Sequence, residues 1–173
     1  RAVRHPAAFS GLGMLSIATI DLGKGLAPVD ATALMTDGRI VYASRADLYV
    51  ASEPWSARPL PAAPTKSPAA AATQIHAFDI SSPDRTRYLG SGTVPGYLLD
   101  QWWLSEQDGV LRVVSTDAPA WWTSADGQSY LTTLRLQGGA LSQVGQLDGL
   151  GRGERVYAVR MSGDDAYVVT CRQ

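Results

Sequence analysis

Asparagine is absent from the 173 residues, cysteine occurs once, and lysine, histidine and phenylalanine occur twice each. Without asparagine there is no Asn-x-Ser/Thr acceptor for N-glycosylation. The single Cys171 excludes an internal disulfide and any cysteine-rich zinc site. Its apolar neighbours Tyr167, Val168 and Val169 predict a small buried hydrophobe there. No apolar run reaches the ~20 residues of a membrane-spanning helix, and Asp21 interrupts the most apolar stretch, 12–26. Neither sign of charge prevails: 15 Lys and Arg face 16 Asp and Glu, a formal net charge of −1. Such a balance gives no field to draw nucleic acid or an anionic membrane surface, so nucleic-acid binding is set aside. The chain opens on Arg1 rather than Met, so the lack of a signal sequence carries no information about the intact protein.

A helical period of apolar residues is nowhere sustained for a dozen positions, whereas short β-branched and aromatic runs bounded by Gly, Pro, Asp and Ser recur throughout. With 45% hydrophobic and 18% charged residues such runs can bury a core. Strands are predicted over 15–22, 32–35, 39–43, 48–51, 74–80, 87–90, 97–104, 111–115, 130–136, 141–147, 155–161 and 166–170. Their sequences repeat. Leu48-Tyr49-Val50-Ala51-Ser52 returns as Leu111-Arg112-Val113-Val114-Ser115 and as Ala166-Tyr167-Val168-Val169-Thr170, at offsets of 63 (111 − 48) and 55 (166 − 111). Ile17-Ala18-Thr19-Ile20 returns as Ile75-His76-Ala77-Phe78 and as Leu131-Thr132-Thr133-Leu134, at offsets of 58 (75 − 17) and 56 (131 − 75). One period carries about four strands, the content of a β-propeller blade, although it exceeds the ~40–50 residues of WD40 and kelch repeats. Asp37-Gly38, Asp108-Gly109, Gly138-Gly139 and Ser162-Gly163-Asp164 supply turn residues that tolerate positive φ.

The fold class predicted is therefore all-β, part of a propeller of four-stranded antiparallel blades. Residues 11–36 read as the end of one blade, 37–95 and 96–151 as two full blades, and 152–173 as the start of another. Residues 54–73 hold five of the ten prolines and an alanine run, and are expected to be a surface insertion anchored by Trp55. Four partial or whole blades do not close a ring. Sequence outside the chain or another chain is expected to complete it, because free strand edges recruit partners.

Several segments carry a family resemblance: Val41-Tyr42-Ala43-Ser44, Asp47-Leu48-Tyr49-Val50-Ala51, 74–80, 88–99 and Asp108-Gly109-Val110-Leu111-Arg112-Val113, continued by 149–160 and Tyr167-Val168-Val169-Thr170. Through them the chain resembles bacterial secreted proteins with a C-terminal β-propeller domain distantly related to WD-40 repeats. The resemblance implies a propeller in an exported or cell-envelope protein, and it implies no activity, cofactor or metal. Cys171 stands where members of that group tend to carry Phe.

The residues assemble no catalytic set. His76 reads as a strand histidine and His5 as part of an irregular N-terminal segment, and neither a Gly-x-Ser-x-Gly elbow nor a His-Glu-x-x-His motif occurs. The glycines at 149, 151 and 153 precede a strand instead of a helix, so they read as a connection between blades and not a phosphate loop. The acidic pairs Asp79/Asp84, Asp117/Asp126 and Asp164/Asp165 lack EF-hand spacing, and 79–84 reads as a strand end entering an Asx turn. No catalytic, cofactor-binding or metal-binding residue is nominated. The aromatics Trp102, Trp103, Trp121 and Trp122 remain as candidate ligand contacts, one of each pair facing outward if each lies on a strand. The function expected is a non-enzymatic binding or scaffold module presenting loops to a protein or glycan. The alternative is a propeller enzyme, a hydrolase or lyase, with polar residues converging on the central channel.

Overall fold

The computed structural model describes residues 3–4, 6, 10–52, 71–117 and 127–172. Its strands are β1 (Val3–Arg4), β2 (Met14–Ile20), β3 (Pro28–Met35), β4 (Gly38–Ala43), β5 (Asp47–Ser52), β6 (Ala72–Ser82), β7 (Arg85–Pro95), β8 (Leu104–Gln107), β9 (Val110–Thr116), β10 (Ser129–Gln137), β11 (Ala140–Leu150), β12 (Arg155–Ser162) and β13 (Asp165–Cys171). The single helix described is a 3-10 turn over Gln101–Trp103. The chain is all-β, as its periodicity predicts.

Strands β4 to β7 form an antiparallel meander, and β8 to β11 form a second. The two join where β7 and β11 run parallel with Ser91 opposite Ala140, making one eight-stranded sheet. The β2–β3 hairpin, extended in parallel by β1, and the β12–β13 hairpin are separate sheets. Of the three Leu-x-Val repeats, β5 and β9 lie inside their meanders, while β13 pairs with β12 alone among the described strands.

Successive side chains of a strand point to opposite faces, so a strand covered on both faces reads as a continuous apolar run. β6 is covered on both faces, with Thr73 to Phe78 all buried, although Gln74 and His76 interrupt its apolar residues. Phe78 packs with Leu34, Val50, Leu15 and Ile17, which places this cluster between the β2–β3 hairpin and the first meander. Ile75 and Ala77 turn the other way, joining Tyr49 and Ala51 against Leu111, Val113 and Leu134 of the second meander. A third cluster sets Val114, Leu131 and Trp103 against Val156, Val159, Met161 and Val168 of β12 and β13. Consecutive groups of strands therefore stack face to face, each offering one face backward and one forward.

The glycines of β7 set the closest approach. A Cβ on Gly92 would stand 2.2 Å from the Leu141 carbonyl oxygen, and one on Gly90 would stand 2.1 Å from that of Gly139. Residues 87–90 alone were expected to be extended here. The strand runs on to Pro95 because its glycines admit a neighbouring backbone where they were expected to end it.

Three other expectations are corrected. Residues 97–104 are not a strand: Gly96 has φ 73°, and Asp100 caps the 3-10 turn, so extended structure resumes only at Leu104. Asp37-Gly38 is not a hairpin turn. Gly38 opens β4, and Asp37 accepts the Gly13 amide at 2.8 Å, tying down the start of β2. The 54–73 insertion ends earlier than expected, since β6 begins at Ala72; residues 53–70, with Trp55, lie outside the described residues. Asp108-Gly109 (φ 53° and 73°), Gly138-Gly139 (57° and 82°) and Gly163 (56°) do form the tight turns predicted.

Candidate functional site

After β7 the chain pairs briefly with β9, Tyr97 and Thr116 exchanging backbone hydrogen bonds of 2.7 and 3.0 Å. Asp100 then takes an extended conformation, and its carboxylate accepts the Trp102 amide at 3.1 Å. This cap starts the 3-10 turn and separates the two tryptophans. Trp103 enters the cluster beneath β12 and is 4% exposed, whereas Trp102 is 65% exposed. One ring faces out, as expected, but the alternation of a strand is not the cause.

Between this turn and the β12–β13 hairpin lies an open groove of about 410 Å³, lined chiefly by Leu99, Asp100, Trp102, Arg155, Tyr157 and Cys171. Tyr157 is the exposed aromatic on its far wall. It stands 55 residues after Trp102 (157 − 102), so each of two successive repeats contributes an aromatic ring at the same repeat position. The repeat offset was the signal that could have found Tyr157 in the sequence. Exposed rings flanked by Asp100 and Arg155 can stack on an apolar ligand face while the charged groups hydrogen-bond its polar edges. Cys171 is half-buried at this groove and free. Trp121 and Trp122 lie outside the described residues.

A family model for a β-propeller domain matches residues 1–173. The chain belongs to the β-propeller domain family. This propeller chain is 40% identical over 83 residues, 48% of its length, to uncharacterized protein MJ1554 of Methanocaldococcus jannaschii. It is 39% identical over 107 residues, 58% of its length, to an uncharacterized protein of Archaeoglobus fulgidus. The matched portions span only 13% and 16% of those two archaeal proteins. No solved structure matches the propeller chain.

His76 occupies a second polar constellation of the propeller. Its Nε2 lies 2.9 Å from Ser10 Oγ and its Nδ1 3.4 Å from the Tyr88 hydroxyl. Ser10 Oγ in turn meets Thr36 Oγ1 at 2.6 Å and Ser52 Oγ at 3.1 Å. At the corresponding place in the second meander Thr132 replaces His76 and Ser115 replaces Ser52, and both hydroxyls are buried without a hydrogen-bond partner among the described residues. The imidazole is fully buried, and that desolvation holds its pKa down at about 4. It is a neutral hydrogen-bonding hub joining the segment before β2 to β5, β6 and β7. His5 lies outside the described residues.

A stability consequence follows from the depressed value. Above the ordinary imidazole pKa of about 6.5 the native and unfolded chains are both neutral at this site. As pH falls from about 6.5 toward 4 the unfolded chain takes up a proton that the native chain refuses, removing about 3 kcal/mol of stability once pH is below 4. Chemical denaturation at pH 7 and pH 4 is expected to show a smaller difference for His76→Leu than for the native chain. An identical pH difference in the two would contradict the assignment.

Of the acidic pairs singled out in the sequence, Asp79, Asp84, Asp117 and Asp164 each accept a hydrogen bond. Asp79 accepts the Ser81 amide and hydroxyl and pairs with Arg87 at 2.9 Å, contacts that lower its pKa to about 2. This is the Asx turn expected there. Asp84 accepts the Ser82 hydroxyl, Asp117 the Gln128 amide, and Asp164 the Gln107 side-chain amide. Asp126 lies outside the described residues.

Proposed function

We propose that the chain is an arc of propeller blades acting as a non-enzymatic binding module. Residues 37–95 and 96–151 are read as two full blades, 11–36 as the end of one and 152–173 as the start of another. The groove of Trp102, Tyr157, Asp100 and Arg155 would take a glycan or an extended protein segment. One observation carries this reading: two repeat-equivalent aromatics, 65% and 78% exposed, stand on one groove although Trp103, Val156 and Val159 of the same lining are buried. The resemblance to secreted propeller proteins supports export to the cell envelope. A hydrolase or lyase reading finds its best support in the Ser10–His76 contact, but full burial keeps that pair from any substrate.

Tryptophan emission titrated with neutral oligosaccharides and with extended peptides tests the groove. A ligand from one of these classes is expected to shift the emission. Trp102→Ala should weaken its binding about tenfold, equivalent to about 1.4 kcal/mol, with little change in thermal midpoint because the ring is exposed. Unaltered affinity in Trp102→Ala and Tyr157→Ala would place binding elsewhere.

A further inference from the structure

Ser52, Ser115 and Thr170 close the three Leu-x-Val repeats. Each shares a strand face with the valine two residues before it, Val50, Val113 or Val168, and that face packs on the preceding sheet. At the first junction Ser52 Oγ lies 3.1 Å from Ser10 Oγ and 3.3 Å from the Gln74 carbonyl. At the third, Thr170 Oγ1 donates to the Glu154 carboxylate. The middle junction differs. Ser115 Oγ is fully buried between the two meanders with no hydrogen-bond partner among the described residues, and so is Thr132 Oγ1, one repeat on from His76.

The repeat shows which partners were lost. The bond from the Thr36 amide to the Gly13 carbonyl, 3.0 Å, returns one repeat later from the Gly96 amide to the Ala71 carbonyl, 2.6 Å. Gly96 is therefore the counterpart of Thr36. Pro68, which lies outside the described residues, is the sequence counterpart of Ser10, since each stands three residues before the accepting carbonyl. Neither Gly96 nor Pro68 carries a hydroxyl, and the imidazole of His76 gives way to the much shorter side chain of Thr132. Two hydroxyls and one ring of the first junction are gone from the second, while Ser115 and Thr132 stay buried. A buried hydroxyl without a partner is destabilising, so such groups are nearly always paired with protein or with ordered water.

Ser115 is opposite Tyr130 and Thr132 is opposite Val113, so the two hydroxyl side chains are diagonal neighbours on the face turned to the first meander. Diagonal residues stand roughly 7 Å apart, too far for two such short side chains to bond directly. One water, making two hydrogen bonds of about 2.8 Å, spans that separation. We infer that Ser115 and Thr132 form an internal water-binding site, in which ordered water plays the part taken by Ser10 Oγ and the His76 imidazole at the first junction. Each hydroxyl offers one donor and two acceptor lone pairs, so the pair supplies the polar partners that a buried water requires.

Magnetic relaxation dispersion of the solvent oxygen nuclei, which counts long-lived internal waters, tests the inference together with urea denaturation. Both are measured on the native chain, on Thr132→Val and on Ser115→Ala, substitutions that remove a hydroxyl with little change of shape. Each variant should lose a long-lived water relative to the native chain. Its urea midpoint should fall, because the water and the remaining hydroxyl are deprived of a partner. Were the two hydroxyls simply unpaired, removing either would relieve a desolvation cost and raise the midpoint. A raised midpoint, or a count of long-lived waters in both variants equal to that of the native chain, would overturn the inference.

Discussion

Phe78→Ala is expected to lower the unfolding free energy by about 3–5 kcal/mol, whereas Ile20→Ala, at the same repeat position, should cost below about 1 kcal/mol in the dilute monomer. Phe78 is fully buried between the β2–β3 hairpin and the first meander, with the Tyr88 ring edge-on at 5.3 Å. Truncation removes the largest fully buried side chain of that cluster from between two sheets that cannot collapse together without breaking strand pairing. Ile20→Ala loses nothing comparable, because Ile20 is 43% exposed and no described sheet covers it. Urea denaturation of the two variants compares them directly; equal losses would show that the repeat positions share one environment.

Gly92→Val is the second large effect. A Cβ at this position would meet the Leu141 carbonyl carbon, oxygen and Cβ, all within 3.1 Å, so the intruding atoms press on backbone as well as on a side chain. Relief requires β7 and β11 to separate, and the junction holding the two meanders in one sheet is the parallel pairing at Ser91 and Ala140. A loss of about 3 kcal/mol is expected, at the upper end of overpacking costs. Gly109→Ala, by contrast, places its methyl in open space and pays only for its positive φ. Thermal melts of both variants should differ by several degrees; a Gly92→Val protein as stable as Gly109→Ala would remove the close approach from the account.

Features governed by near neighbours in the chain were legible in the sequence. Asp108-Gly109 and Gly138-Gly139 sit between alternating strands and turn as such pairs do, and the short β-branched and aromatic runs announce strands such as β6. Features that depend on distant neighbours were not. The length of β7 was hidden because Gly90, Gly92 and Gly96 read as breakers until β11 and Thr116 are seen against them. One ring of the Trp102–Trp103 pair was expected to face outward with no choice between the two; Trp102 is the exposed one, and Asp100 capping a 3-10 turn, not strand alternation, turns it outward. Ser10 and His76 are 66 residues apart, and no local pattern links them. Tyr157 could have been found by carrying the 55-residue offset from Trp102 through to the last repeat.

Residue-resolved amide hydrogen exchange on the dilute chain tests the central claim, that the two meanders and the flanking hairpins stack face to face, with β13 paired to β12 alone among the described strands. The account predicts the slowest exchange in β5, β6, β9 and β10, each flanked by two strands, and fast exchange at alternate amides of β13, one side of which no described strand pairs. Uniform strong protection across β13 in a monomer, or rapid exchange throughout β9 and β10, would contradict it.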